Sequence, residues 1–325
     1  MTLGPLLLVV LVGLFTTAPG ARSQDYPVRP VTLIVPSAPG GSLDIVGRIL
    51  GQKLTERLGK AVVIETRAGG GSTVGASAVA RAAPDGYTLL IAPSGVLAIN
   101  ATLYKKLPYD PVNDFAPVAH VTTVPLVLVV NPALPVHSVP DLVKLAKESP
   151  GRLSYASAGV GSSLHLAAEF FKAVTGIELT HVPYKGGAPA VSDVIAGHVS
   201  LMFADTGVVL QQIKQGKLRA LGVSSTVGVP AAPDIAPIAE TGLPGFDIAS
   251  WQMIVAPANT PQEIVHKLHS ELKSLAALPD VQQSIARHGL IPVSSPPPNE
   301  VKHFLQAEIA RWGKIVQQAG IAGSE

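Results

Sequence analysis

The chain has 325 residues, of which 47% are hydrophobic and 14% charged, with a formal net charge of +2. That length accommodates two α/β domains, each with its own core, and the near-even charge excludes the basic excess of a nucleic-acid binder. The absence of cysteine excludes structural disulfides, thiolate nucleophiles and cysteine-ligated zinc.

Residues 6–15 are almost wholly apolar and carry no charge, a run too short to span a bilayer, which takes about 20 residues. Ala21-Arg22-Ser23 fits a small-x-small cleavage site before Gln24, so residues 1–23 read as a signal peptide and the mature chain as an exported, soluble protein. No Lys or Arg precedes the apolar run, which leaves an N-terminal anchor or a buried strand as the competing reading. From Tyr26 onward the pattern is strand, Gly-rich turn, helix, repeated. An apolar strand at 31–35 is bounded by Pro30 and Pro36, and Pro39-Gly40-Gly41-Ser42 turns the chain into a helix with Ile45, Ile49, Leu50 and Leu54 at helical spacing. Gly59 ends that helix. A strand at 61–65, a small-residue helix from Gly69-Gly70-Gly71-Ser72-Thr73 to about Ala82, and a strand at 87–92 complete a βαβαβ unit.

A second unit follows Pro132. It alternates helices at 139–147, 162–174, 188–195 and 208–214 with strands at 153–156, 179–182, 199–203 and 218–223. The apolar runs 125–130 and 251–256 read as two strand-like crossings, which make a hinge. Domain I is therefore expected at 24–125 plus 250–325, and domain II at 126–249. Amphipathic helices at 260–276 and 299–318 read as packing elements; which lobe the last one joins is left open. The fold class is α/β, with two lobes and a cleft at the carboxyl ends of the strands, where such sheets bind ligands.

Four turns at those strand ends are rich in Gly and Ser: 37–41, 69–73, 93–95 and 157–163. Glycine lets backbone N–H groups approach a ligand, and a helix N-terminus adds unpaired donors and partial positive charge, a combination that suits an anion. Catalytic signatures are missing. No phosphate-binding Gly-x-x-x-x-Gly-Lys-[Ser/Thr], dinucleotide fingerprint, Gly-x-Ser-x-Gly or His-Glu-x-x-His occurs. His266 and His269 read as two surface histidines without a third ligand. A Ser162–His165 catalytic pair is conceivable, but no orienting acid is apparent. Asp205, after its strand, either caps the next helix or accepts a hydrogen bond from a ligand. Tyr184 and Lys185 follow His181-Val-Pro and could line the cleft. Asn100-Ala-Thr102 matches a glycosylation sequon.

Several blocks together resemble the Bug or TctC-type receptors, the extracytoplasmic binding components of tripartite tricarboxylate transporters. They are Tyr26-Pro-x-Arg-Pro30, Val35-Pro-x-Ala-Pro-Gly-Gly-x-x-Asp44, Pro84-Asp-Gly-Tyr-Thr-Leu89, Tyr155-Ala-Ser-Ala-Gly-x-Gly-Ser162, His165-Leu166, His181-Val-Pro-Tyr-Lys-Gly-Gly187 and Ala256-Pro-x-x-Thr-Pro261. The resemblance implies two lobes that close on a small ligand held by backbone donors and ordered waters. Carried over by position, it implies that Ser37, Ala38, Gly40 and Gly41 hold a carboxylate from domain I, faced by Ser157, Gly161 and Ser162 from domain II. Ser94, Tyr184, Gly186 and Asp205 are further candidates. The family often has Phe where this chain has Ser37, which would leave a larger, more polar corner. The implied function is a periplasmic solute-binding receptor, not an enzyme, with no cofactor or metal. Its partners would be a small carboxylate-bearing ligand and the small and large permease subunits, and it would act as a monomer. A sensor subunit presenting ligand to a membrane kinase and an extracytoplasmic serine hydrolase are the alternatives.

Overall fold

The computed structural model describes residues 26–226, 228–229 and 231–325, so the expected signal peptide lies outside the described residues. The first lobe opens with β1 (Val31–Val35), α1 (Ser42–Leu58), β2 (Val62–Thr66), α2 (Thr73–Ala80) and β3 (Thr88–Pro93). In β1 the side chains alternate between two cores: Val31, Leu33 and Val35 enter one, and Ile34 the other. The strand thus has helices on both of its faces, and β1 pairs in parallel with β2 and β3. Helix α1 ends at Gly59, whose left-handed conformation (φ 66°) lets its N–H reach the Thr55 carbonyl.

A π-helical turn (Gly95–Ile99) and the short α3 (Asn100–Leu103) lead to β4 (Phe115–Val130). The second lobe continues with α4 (Val139–Glu148), β5 (Ser154–Ser157), α5 (Ser163–Thr175), β6 (Thr180–Pro183), α6 (Gly187–Ala196), β7 (Leu201–Asp205), α7 (Thr206–Lys214) and β8 (Arg219–Val223). The chain then returns through β9 (Ala249–Pro257) to α8 (Gln262–Ala276), α9 (Pro279–Arg287), β10 (Ile291–Pro292) and α10 (Pro298–Gln318). Ser138 starts α4 by accepting the Asp141 N–H at 3.2 Å, and Ser162 starts α5 by accepting the His165 N–H at 3.2 Å.

Strand β4 is the spine of the molecule. Its 16 residues pair with β9 from Phe115 to Pro125 and with β7 from Leu126 to Val130, so one strand belongs to both sheets. The expected link at 125–130 is only the last six of those residues. Bulges between Pro117 and Ala119 and between His120 and Thr122 break the alternation of the first half and conceal it in the sequence. The two crossings lie side by side, with Pro125 opposite Ala249. Ser224 ties them: its N–H donates to the Leu126 carbonyl at 2.8 Å, and its carbonyl accepts the Ile248 N–H at 2.8 Å.

Helix α10 packs mainly on the π-helical turn, α3 and β4, and it also touches α5. The fold is a mixed α/β, two-lobed one. Strand β7 ends at Asp205, two residues later than expected, which places that carboxylate at the strand's carboxyl edge.

Candidate functional site

A cavity of about 80 Å³ lies where the strand-to-helix turns of the two lobes meet. From the first lobe its wall takes Ser37, the start of α1 (Gly41, Ser42, Leu43), the Gly69–Ser72 turn, Gly95, and Ser250 and Gln252 of β9. From the second come the start of α5 (Ser162, Ser163, Leu164), the Tyr184–Gly187 turn and Asp205. Neither Gly41 at the head of α1 nor Gly186 at the head of α6 supplies a side-chain cap. Their first-turn N–H groups therefore remain available to whatever fills the space. Helix dipoles from α1, α5 and α6 add positive potential at the same point.

The lobes touch closely around this cavity. The Ala38 N–H donates to the Lys185 carbonyl at 3.2 Å. A side-chain carbon added to Gly71 would lie 1.9 Å from the Val160 carbonyl oxygen, and one on Gly95 would lie 2.6 Å from the Gly161 oxygen. Bare backbone is what allows this closed contact.

Of the residues expected at the site, Ser37, Gly41, Ser162, Tyr184, Gly186 and Asp205 line the cavity. Ala38, Gly40, Ser94, Ser157 and Gly161 are not in its wall. The Ala38 N–H is engaged with Lys185, and the Gly40 N–H donates to Asp44 at 3.0 Å. The Gly161 N–H meets His165 Nδ1 at 3.4 Å. Ser94 is buried against Ser250, their hydroxyls 3.0 Å apart. Ser157 is buried with its hydroxyl 2.7 Å from His181 Nε2. The Tyr184 hydroxyl donates to Asp193 at 2.6 Å, so only its ring borders the space.

Asp205 does not cap α7; its Oδ2 accepts the Ser42 hydroxyl across the cleft. Burial pushes its carboxyl up to about 6, against the opposing effect of that hydrogen bond. Ser42, Ser250 and Gln252 were not anticipated. For Gln252 a signal existed: it is the polar residue inside the apolar run of β9, and it is 1% exposed.

The hydrolase geometry does not form. The Ser162 hydroxyl donates to the Gly159 carbonyl at 2.7 Å rather than to an imidazole. His165 instead stacks on His181 with ring centroids 4.3 Å apart, and His181 stacks on Tyr155 at 4.7 Å. The Tyr155 hydroxyl donates to Glu169, which also receives Lys172 at 2.7 Å. Burial first, then the neighbouring His181 and Lys172 charges, pushes His165 down to about 4, with Glu169 opposing. Burial and Lys172 likewise push His181 down to about 4, again against Glu169.

The folded protein therefore refuses protons that an unfolded chain would take up near pH 6.5, so stability contributed by this pair is lost as pH falls from about 6.5 toward 4. Imidazole NMR should find both rings neutral at pH 5.5; a midpoint of 6 or above for both would disprove the arrangement.

His269 is buried, not on the surface, and its Nδ1 lies 2.8 Å from the Val118 carbonyl oxygen. Among the described residues no group of three metal-ligating side chains occurs. Asn100 of the sequon is fully buried and donates to the Tyr109 hydroxyl at 3.3 Å, so it is not presented for modification.

Comparison with known proteins places this architecture. Residues 46–321 match the model of the tripartite tricarboxylate transporter family receptor, TctC. A structure from R. palustris solved with adipate is 37% identical, covers 92% of this chain and 99% of its own, and superposes with a TM-score of 0.89. The periplasmic binding protein BugD is 34% identical, with 91% of this chain and 99% of that chain covered and a TM-score of 0.88. MatC from Rhodopseudomonas palustris, solved with bound malate, is 32% identical over 90% of this chain and 100% of its own, with a TM-score of 0.86.

Proposed function

Because this chain belongs to the family of tripartite tricarboxylate transporter receptors, we propose that it captures a small carboxylate-bearing solute between its lobes in the periplasm and delivers it to the membrane subunits of a transporter. The observation that carries this reading is the convergence on one cavity of the α1, α5 and α6 N-termini, two of them without side-chain caps. Backbone donors held by packed helices are already aimed before binding, so reading a carboxylate requires no reordering within either helix start. The relatives solved with adipate and malate support an organic acid as cargo. We assign residues 24–125 and 250–325 to one lobe and 126–249 to the other, hinged at β4 and β9. The ligand-holding set is Ser37, Gly41, Ser162, Gly186 and Asp205, with the Tyr184 ring as a wall. Ala38, Gly40 and Gly161 shape the turns, and Ser94 and Ser157 brace them from behind.

A thermal-shift screen of mono-, di- and tricarboxylates tests the reading. A true ligand at a hundred times its dissociation constant stabilises the folded state by about 2.7 kcal/mol. The corresponding neutral amides should give no shift; equal shifts from acids and amides would overturn the proposal.

Ser37 forms one corner of the wall and its hydroxyl makes only a long contact, 3.4 Å, to the Ala38 carbonyl. Ser37→Phe should fill that corner and weaken binding of the best acid by roughly tenfold or more, the cost of overpacking being about 1–3 kcal/mol. Calorimetry showing unchanged affinity would remove Ser37 from the ligand's surroundings.

A further inference from the structure

We infer that Asp205 makes this receptor selective for acids carrying a hydrogen-bond donor, a hydroxyl or an ammonium, in addition to the bound carboxylate. The inference rests on the carboxylate reading above and asks what the rest of the ligand must be.

The cavity has two unlike sides. Helix starts present N–H groups, whereas Asp205 presents a carboxylate. A chain of hydrogen bonds fixes that carboxylate in place. The Thr122 hydroxyl donates to Gln252 Oε1 at 3.0 Å, Gln252 Nε2 donates to Ser42 Oγ at 3.1 Å, and the Ser42 hydroxyl donates to Asp205 Oδ2. Every donor in the chain points toward Asp205, so Asp205 is its terminal acceptor. Thr122 and Gln252 are buried in the β4–β9 sheet, which makes the chain a rigid support rather than a surface contact.

Only one of the two carboxylate oxygens is used by this chain. Oδ1 carries no hydrogen bond from the described residues, and the side chain borders the cavity. An ionised carboxylate is an acceptor alone. A ligand that placed a methylene against it would strip water from Oδ1 without replacement, and one that placed a second carboxylate there would meet like charge. A hydroxyl or ammonium satisfies it. Hydrogen bonds to a charged group contribute about 1.5–3 kcal/mol, which corresponds to roughly ten- to a hundredfold in affinity.

The test uses matched acids at pH 7.5: glutarate, 2-hydroxyglutarate and glutamate, then propanoate, lactate and alanine, each titrated calorimetrically into the mature protein. At least one donor-bearing member should bind tenfold or more tightly than its plain parent. In Asp205→Asn, where the amide can still accept from Ser42 but presents an NH2 in place of a charged acceptor, the preference should shrink below threefold. Parent and donor-bearing acids binding alike in the wild-type protein overturns the inference while leaving the carboxylate reading intact. So does an undiminished preference in the variant. Binding of no acid at all overturns both, and the amide control distinguishes that case.

Discussion

Gly71→Ala should lower the affinity for the captured acid by about a hundredfold or more while leaving the circular dichroism spectrum and the folded content unchanged. Gly71 sits in the β2–α2 turn with φ of 59°, and a Cβ there would lie 1.9 Å from the Val160 carbonyl oxygen of the β5–α5 turn. No real contact is that short, and its partner is backbone, which cannot swing aside. The collision exists only when the lobes are closed. A ligand stabilises closure to the extent that it prefers the closed form over the open one, so a clash confined to the closed form is subtracted directly from binding. Each factor of ten corresponds to about 1.4 kcal/mol, and about 3 kcal/mol is a modest figure for a displaced interlobe backbone contact.

Backbone strain alone must be separated from that clash. Gly59 provides the control: its φ is 66°, nearly that of Gly71, but nothing lies within 4 Å of its added carbon. Gly59→Ala should carry the left-handed penalty of about 1–2 kcal/mol in stability and leave affinity within twofold. Solution scattering should show Gly71→Ala remaining expanded at ligand concentrations that compact the wild-type protein. Equal affinities for Gly71→Ala and Gly59→Ala would show that the closed contact plays no part in capture.

The same glycine turns were the most legible part of the sequence, for a physical reason. A backbone that must approach a ligand or an opposing lobe needs glycine locally, so the requirement is written within a few residues. The strand and helix alternation was legible because apolar runs bounded by Pro and Gly are also local signals. What could not be read was which way the polar side chains turn. Ser94 and Ser157 sit in the expected turns, but their hydroxyls are directed to Ser250 and His181. Ser42 meets Asp205 across 163 positions of sequence. Such pairings depend on how two sheets come together, and no window of neighbouring residues contains them. The length of β4 was hidden differently: prolines at 117 and 125 and two bulges disguise a continuous strand as a loop followed by a link. Burial of His269 was likewise decided by its neighbour in β4, not by its helix.

The largest stability loss is expected at Glu308 of α10. The residue is 7% exposed, and its carboxylate accepts two indole N–H groups, from Trp251 at 2.6 Å and from Trp312 at 3.0 Å, with Arg311 at 3.3 Å on its other oxygen. Trp251 belongs to β9 beside the hinge, and Trp312 is the largest fully buried side chain. One carboxylate thus fastens the C-terminal helix to the returning strand.

Glu308→Ala strands both indole donors away from water and opens a gap among large side chains. Losing one partner of a buried charged network costs about 3–5 kcal/mol, and leaving buried donors unpaired accounts for much of that cost. In a protein of this size a loss of that order lowers the melting temperature by roughly 5–8 °C.

Glu308→Gln keeps acceptor oxygen and volume, so its drop should be less than half as large. This ordering separates hydrogen bonding from simple packing, because a packing role alone would be met equally by Glu308→Met, which fills the space but accepts from neither indole. If differential scanning calorimetry places Glu308→Met within 1 °C of Glu308→Gln, the indole bonds do not hold the helix. If instead Gln is well above Met and Met near Ala, the carboxylate is the fastening between α10 and the hinge strand.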